Sequence, residues 1–514
     1  MLSRDRKPRV LLVVAHFDDT RNPNGRPNFI PQGLAHAFLA GAFHRQNVEV
    51  RLYSEFHSGP LKDERAFAWP DMLVLTGVTS AFDRMRQLAA YVRIKSPRCV
   101  VVAGGPAVRN LPISSAAAFD YACHGDIEEL TAIAEEEFGP DAVTDQMTPR
   151  FDLLTWKSTV NYVETSRYCN FRCTFCALTA EHRDYKTYDF SYIENQIRSY
   201  PEKKPVLFID NNFYGNNRSH FLQKLDLLTG LVKEGALPGW IALVTGDFFA
   251  DSQNVIRARN AGCIGLFSGV ESFNADQIKS YNKRQNLLPQ VEVIKDCYEA
   301  GIVFQYGLIF DPTTQHVRQM QDELDFVIQC DAIPLPAFTS LTIPLLGTPL
   351  FQDRIKSRHF LPLTKLRDMD GFTLLTRPLD EMDRVLPFVK RLVELDGRFT
   401  EFARRGFGFL RRYWRSLSAQ QIAFTVANSF PRLINKRRTV AATDDDNLTY
   451  ISTTQPLGPL YSPMFRVPER YRASFSATMI TDGSGELEPE IAENLSAKVR
   501  PLRGRAAPQT ISAL

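Results

Sequence analysis

Cys169, Cys173 and Cys176 are the residues of this chain best placed to do chemistry together. They stand at i, i+4 and i+7, just after an alternating apolar segment, Asn161 to Thr165. Three thiolates so close in sequence can hold three corners of a four-iron cluster and leave the fourth iron open to a small molecule. Two other readings stay open. The spacing is also that of one helix face, on which cysteines would act as small buried hydrophobes. Against it, Asn170, Phe171, Arg172 and Thr174 make a poor amphipathic pattern. A zinc site needs a fourth ligand, and the nearest candidate, His182, stands at a spacing that fits no finger pattern.

The elements that must position these cysteines are legible as strands with polar ends. From 161 to 355 the chain repeats a strand–helix unit of roughly 30 residues. Val206–Asp210 ends in Asp210-Asn211-Asn212, and Ile241–Val244 ends in Thr245-Gly246-Asp247. Ile264–Val270 ends in Glu271-Ser272, Val303–Phe310 in Asp311, and Ser340–Ile343 in Pro344. Polar residues at the carboxyl ends of barrel strands face ligands, although each taken singly also reads as a helix cap or loop residue.

Residues 9–135 read as a second α/β unit. Arg9–Ala15, Met72–Val78 and Cys99–Ala103 are apolar runs suited to strands covered on both faces. Helical patterns lie between them, at Gly33–Gln46, with Leu34, Ala37, Phe38 and Ala42 on one face, and at Asp83–Lys95. That alternation predicts a doubly wound, Rossmann-like parallel sheet. Ligands of such sheets bind outside the strands' carboxyl ends, which here carry Thr76, Gly77, Thr79, Gly104 and Gly105.

The 514 residues allow two or three domains, and an apolar share of 44% suffices for sizeable cores. The expected divisions are 1–135, a connector at 136–160, 161–355, a helical region at 356–440 and a disordered tail at 441–514, which lacks periodicity. A net charge of +3 argues against a dedicated nucleic-acid binder. Eight cysteines, only three of them clustered, suit a metal site in a reducing cytoplasm better than a disulfide framework. The apolar run Val10–Ala15 is too short for a signal peptide, and no run approaches the roughly 18 residues of a membrane span. Between Arg398 and Arg438 stand ten Arg or Lys and one acid, Glu401, interleaved with aromatics such as Phe407, Tyr413 and Trp414. The segment reads either as a helical cap on the barrel or as a peripheral contact with an anionic membrane.

C-x3-C-x2-C with an aromatic, Phe175, before the last cysteine resembles the radical S-adenosylmethionine (radical SAM) superfamily. The order cysteines, Asp-Asn-Asn-Phe, Gly-Val-Glu-Ser, Asn282-Lys283 and Pro344-Leu-Leu-Gly-Thr-Pro349 extends the resemblance across 161–355. It implies a partial (β/α)6 barrel and a [4Fe–4S] cluster on Cys169, Cys173 and Cys176. The open iron would be chelated by S-adenosylmethionine, and an electron from a donor such as flavodoxin or ferredoxin would release a 5′-deoxyadenosyl radical. Phe175 would lie beside the adenine, and Asp210 and Asn211 near the methionine amino group. Thr245 and Asp247 fall where the family often has arginine or serine near the carboxylate or ribose, a departure. Glu271 has a cofactor role or a structural one.

Residues 9–135 show a further succession: Val10-Leu-Leu-Val-Val, Pro31-Gln-Gly-Leu-Ala, Asp71-Met-Leu-Val-Leu-Thr-Gly-Val-Thr, Val101-Val-Ala-Gly-Gly-Pro and His124-Gly-Asp-Ile-Glu-Glu. It resembles the N-terminal cobalamin-binding-type domain of radical SAM enzymes. The Asp-x-His-x-x-Gly motif is absent, and His16-Phe17-Asp18-Asp19 does not replace it, so cobalamin would bind base-off without that histidine. The function implied is cobalamin-dependent methylation of an unactivated carbon in a small molecule or lipid. The alternatives are radical cyclisation, carbon–carbon coupling or rearrangement on the same scaffold, and, in another class, a non-catalytic metal-binding scaffold. The last leaves the polar strand ends without a purpose.

Overall fold

The structure is a computed structural model that describes residues 6–17, 34–144, 147–154, 156, 158–286, 288–394, 399–429, 451–452 and 463–497. Its first sheet contains β1 (Arg9–Val14), β2 (Glu49–Ser54), β3 (Met72–Thr76), β4 (Val100–Ala103) and β5 (Tyr121–Ala122). The order is β2-β1-β3-β4-β5, all parallel. The apolar runs form central strands because both faces are covered. Val10, Leu12, Val74 and Val102 pack toward α1 (Ala35–Leu39) and α3 (Ile127–Phe138), while Leu11, Val13, Leu73 and Val101 pack toward α2 (Phe82–Lys95). The strand order reverses between β1 and β3, the topological switch point at which such sheets take their ligands.

The second sheet contains β6 (Asn161–Val163), β7 (Val206–Phe208), β8 (Trp240–Val244), β9 (Cys263–Glu271), β10 (Val303–Phe310) and β11 (Phe338–Leu341). Each strand pairs in parallel with the one before it, which makes a six-stranded partial barrel with helices outside, among them α4 (Arg218–Lys233). One core joins its strands to the covering helices through Phe208, Leu228, Trp240, Leu266 and Phe304.

Three expectations change. The helix foreseen over 33–46 is α1, followed by a 3-10 turn at Ala40–Ala42. Gly41 lies against the carbonyls of Met147 and Thr148, where an added Cβ would stand 2.7 Å from the Thr148 oxygen; residue 33 itself lies outside the described residues, as do Pro31, Gln32, Asp18 and Asp19. The strand Glu49–Ser54 was not foreseen. It is an edge strand with exposed Glu49 and Arg51, so its pattern is mixed rather than apolar. Finally, the tail expected to be disordered over 441–514 is structured at 463–497. Asp83 of α2 accepts hydrogen bonds from Thr478 N (3.0 Å) and Oγ1 (2.5 Å), and Arg86 donates to the Ala473 carbonyl at 2.6 Å. Tyr91 packs on Phe465 and Phe475 with ring centroids 5.0 and 5.2 Å apart. Its helices, Glu469–Phe475 and Pro489–Ser496, are short, and scattered aromatics anchor the irregular backbone between them. The remainder of 441–514, apart from 451–452, lies outside the described residues.

The basic, aromatic segment forms α6 (Phe399–Tyr413) and α7 (Ala419–Ser429), with 430–438 outside the described residues; α5 (Ala275–Ser280) precedes them in the barrel. One face caps the barrel. Arg405 donates to the carbonyls of Val327, Cys330 and Ile333, Tyr413 to that of Ala332, and Gln421 to those of Ile264 and Gly301. The opposite face exposes Phe407 (71%) and Trp414 (56%) beside Arg404, Arg411 and Arg415.

Glu55 and Arg84 form a buried ion pair at 2.8 Å, with side chains 0% and 2% exposed. Glu55 also accepts from Leu61 N and His16 N, so the pair ties the ends of β1 and β2 to α2. Removing one partner strands a buried charge, at a cost of about 3–5 kcal/mol. Arg84→Ala is expected to lower the unfolding free energy by about that much in denaturant titration, and Glu55→Leu/Arg84→Met to recover most of it.

Candidate active site

The cysteine run is loop, not helix, so its spacing does not trace a helix face. The loop follows β6 and lies between the two arms of a short antiparallel pair, 166–167 with 186–187. It is held by backbone bonds: Thr174 N donates to the Tyr281 carbonyl at 3.1 Å, Leu350 N to that of Thr174 at 3.0 Å, and Asn282 Nδ2 to that of Arg172 at 3.0 Å. Three non-glycine residues around it have left-handed backbone, Tyr168 (φ 64°), Glu271 (φ 64°) and Asn282 (φ 52°). Such strain collects where side-chain placement matters more than backbone ease. At Glu271 it accompanies a register shift between β9 and β10, and bulges of this kind re-aim side chains next to active sites.

The three thiols act on one another. Burial pushes the Cys169 thiol up and holds Cys176 at about 11; for both, the neighbouring cysteines add to the effect and Lys283 opposes it. A site that gathers three mutually repelling sulfurs suits a positively charged metal group that deprotonates them. His182 is exposed in its own turn. Among the described residues, no three His, Cys, Asp or Glu side chains converge as ligands of a single ion.

Around the loop, the strand ends leave buried polar atoms unmatched. Asp210 Oδ1 accepts from Thr165 N (2.8 Å), Thr165 Oγ1 (3.1 Å) and Ser166 Oγ (2.6 Å), while its Oδ2 has no partner. Burial pushes this carboxyl up against the opposing pull of Lys224 and those donors. Lys224, itself lowered to about 8 by burial, donates to Thr165 Oγ1 and the Phe213 carbonyl. Asn212 Oδ1, Ser268 Oγ, Gln285 Oε1 and Asn286 Oδ1 are likewise buried and unpartnered. Each such atom costs about 1–3 kcal/mol unless a ligand satisfies it, so the set fits a polar ligand at the barrel mouth.

Other foreseen residues fall around the same mouth. Phe175 meets Tyr281 edge-on with centroids 5.0 Å apart. Thr245 Oγ1 donates to the Asp247 carboxylate, whose field reaches Cys169. Glu271 pairs with Lys283 at 2.8 Å, both nearly buried. Asn211 does not join them; it is exposed, and the residue that turns inward is Asn212, whose Nδ2 donates to Asn170 Oδ1 at 2.7 Å. Asn212, Ser268, Lys283 and Gln285 were not singled out as site residues. Asn212 stands in the noted Asp-Asn-Asn-Phe run and Lys283 in the Asn282-Lys283 pair.

Between the first sheet and the barrel lies a cavity of about 590 Å³. Thr76, Gly104, Gly105, Arg109 and Asp126 line it from one side, and Glu164, Arg167, Tyr168 and Asn211 from the other. An apolar slot continues from it between α1 and the sheet, lined by Leu34, Phe38, Val74, Val102, Ile127 and Leu130. Gly77 and Thr79 are not in the lining. Gly77 backs onto Gly105, whose added Cβ would stand 2.8 Å from the Gly77 carbonyl, and Thr79 is buried in the turn Thr79–Ala81. Small residues and free backbone at this edge, with a slot behind, fit a broad, flat cofactor carrying a tail.

A model of the Radical SAM superfamily matches residues 163–324. The chain is 30% identical over 200 residues to the bacteriochlorophyllide d C-12(1)-methyltransferase of Chlorobaculum tepidum, covering 37% of this chain and 42% of that protein. It is 25% identical over 240 residues to the hopanoid C-3 methylase of Methylococcus capsulatus, covering 44% and 45%. It thus spans less than half the length of these relatives. The solved structure of the cobalamin-dependent S-adenosylmethionine radical enzyme OxsB, with aqua-cobalamin and S-adenosylmethionine bound, shares the fold. The TM-score is 0.53 at 17% identity, over 83% of this chain and 75% of that one. The cysteine loop, the six-stranded partial barrel and the match over 163–324 agree: this part of the chain is a radical SAM domain.

Proposed function

We propose that this protein is a radical SAM methyltransferase that uses cobalamin to methylate an unactivated carbon. The observation that carries the reading is the cavity between the two sheets. It brings the switch-point edge of the first sheet to face the barrel mouth, with the cysteine loop beside it. When bound, the [4Fe–4S] cluster with S-adenosylmethionine supplies a carbon-centred radical, and cobalamin carries the methyl group.

The chain's own residues divide the work. Cys169, Cys173 and Cys176 hold the cluster. Asp210 Oδ2 and Asn212 Oδ1, both unpartnered acceptors, receive the methionine ammonium, and Asp210 is kept in place by its three donors. Phe175 and Tyr281 form an aromatic wall for the adenine. Glu271, turned inward by its backbone, and the Thr245–Asp247 pair bind ribose hydroxyls or the carboxylate end. Thr76, Gly104 and Gly105 let the corrin approach the strand ends, and the slot beside Leu34, Phe38 and Val102 receives its nucleotide tail.

The substrate class is a small molecule, with an apolar or lipid-like one favoured by the outer face of α6. Phe407 and Trp414 are exposed there among Arg404, Arg411 and Arg415, a pattern that suits an anionic membrane surface. Among the described residues no helix is long and apolar enough to cross a membrane, so such contact would be peripheral. The electron is expected from a small donor protein of the flavodoxin or ferredoxin type.

Three measurements test this reading. Anaerobically reconstituted protein should take up about four irons per chain and, once reduced, convert S-adenosylmethionine to 5′-deoxyadenosine. Cys173→Ala should lose both, and one equivalent of zinc with no iron would defeat the assignment. Full-length protein refolded with hydroxocobalamin should retain near-stoichiometric base-off cobalamin. Gly104→Trp should expel it and keep the fold, because an added Cβ at Gly104 meets only Cys123, at 3.5 Å or more. Production of 5′-deoxyadenosine by protein that retains no cobalamin would replace methyl transfer by cyclisation or coupling. Binding to anionic vesicles should weaken with added salt and with Arg411→Gln/Arg415→Gln, since the Debye length is about 10 Å at 0.1 M; wild type that ignores vesicles at low salt leaves α6 as a cap alone.

A further inference from the structure

One short segment, Tyr281–Asn286, reaches the cysteine loop from α5 and touches it at several points. Its last part carries the only side-chain hydrogen bond to a cluster cysteine sulfur among the described residues: Gln285 Nε2 donates to Cys173 Sγ at 3.4 Å. Gln285 is 3% exposed and Cys173 8%. Two residues earlier, the Lys283 ammonium acts on the sulfurs of all three cysteines and is paired with Glu271 at 2.8 Å. The segment is fixed. Tyr281 accepts from Thr174 N, and Asn286 Nδ2 donates to the carbonyls of Gly269 and Val270, both at 3.2 Å. Gly246 packs so closely on it that an added Cβ would stand 2.5 Å from the Gln285 carbonyl oxygen.

We propose that Gln285 and Lys283 set the reduction potential of the cluster on Cys169, Cys173 and Cys176, Gln285 through its N–H···S bond and Lys283 through its charge. This rests on the cluster reading above. A cluster gains one negative charge on reduction. A donor on a ligand sulfur, or a cation beside it, stabilises the reduced form more than the oxidised form and raises the potential. Burial keeps both effects from being screened by solvent. The two residues differ in strength. Glu271 offsets part of the Lys283 charge at 2.8 Å. Gln285 is neutral, needs no counter-ion, and lies directly on the sulfur. Its Oε1, buried without a partner, gains nothing from turning the amide over, because a thiolate sulfur accepts and does not donate.

The test is a reductive titration of the full chain, anaerobically reconstituted and free of S-adenosylmethionine, followed by the electron paramagnetic resonance signal of the reduced cluster. At the poise where wild type is half reduced, Gln285→Leu should show a reduced-to-oxidised ratio lower by about three- to tenfold, tenfold being 59 mV for one electron. Lys283→Met should lower the ratio as well, because Glu271 is then uncompensated. Iron content and visible spectrum should match wild type in both. If Gln285→Leu fails to hold iron, Gln285→Glu, which keeps the length and replaces the N–H with an oxygen, must lower the ratio further. Iron-replete Gln285 variants that are half reduced at the wild-type poise overturn the proposal. Wild type that takes up no iron overturns the cluster reading and this proposal with it, a result seen before any variant is made.

Discussion

The structure depends on how the two sheets are made to face each other, and one knot of side chains stands at the point where their carboxyl edges meet. Arg183, from the barrel, donates to the His124 carbonyl at 2.8 Å and to the Tyr168 hydroxyl at 3.0 Å, and reaches Asp126 at 3.4 Å. Tyr168 itself bonds to Asp126, and Arg109 closes on Glu181 at 2.6 Å on the other side. His124 and Asp126 follow β5, and Tyr168 directly precedes Cys169. The carboxyl edge of one sheet and the first cysteine of the loop are thus locked to a common point. The Arg183–Asp126 pair, about a third exposed, is worth little as an isolated ion pair. The value of the knot lies in shared geometry, because Arg183 and the Tyr168 hydroxyl converge on the same Asp126 carboxylate across the junction.

Backbone strain and unmatched polarity coincide at the barrel mouth. Tyr168, Glu271 and Asn282 hold left-handed backbone while Asp210, Asn212, Gln285 and Asn286 keep buried acceptors unsatisfied. Both features cost stability, and both are sustained by the rigid core beneath, where Phe208, Trp240 and Phe304 are fully buried. A site arranged this way is preorganised for a charged, hydrogen-bonding ligand before the ligand arrives.

Much of the frame was legible because parallel sheets covered on both faces advertise themselves. Val303–Phe310 is a strand with the boundaries read from its apolar run, and Asp83–Lys95 differs from α2 by one residue. The three cysteines stand out by spacing, and the structure places them in one loop. What escaped was set by tertiary contact. Gln285 reaches Cys173 across more than a hundred residues, and nothing local marks a glutamine as a sulfur's partner. Asn211 and Asn212 are adjacent asparagines, and only the twist at the end of β7 decides which is buried. Residues 463–497 escaped because their helices, Glu469–Phe475 and Pro489–Ser496, are short and the backbone between them is irregular, which leaves little periodicity to read.

The same C-terminal segment has a consequence for how the chain is made. Phe82, Tyr91 and Ala107 share one buried cluster with Phe351, Phe360, Phe475 and Ile491. The first unit therefore leaves the ribosome with the outer side of α2, around Tyr91, uncovered by its own sequence. Close to 400 residues separate Tyr91 from Phe475, which at 5–20 residues per second is a delay of about 20–80 s. Throughout that interval an aromatic surface is open to other nascent chains. Folding of the first unit is thus a provisional event, completed only when residues 463–497 return to it.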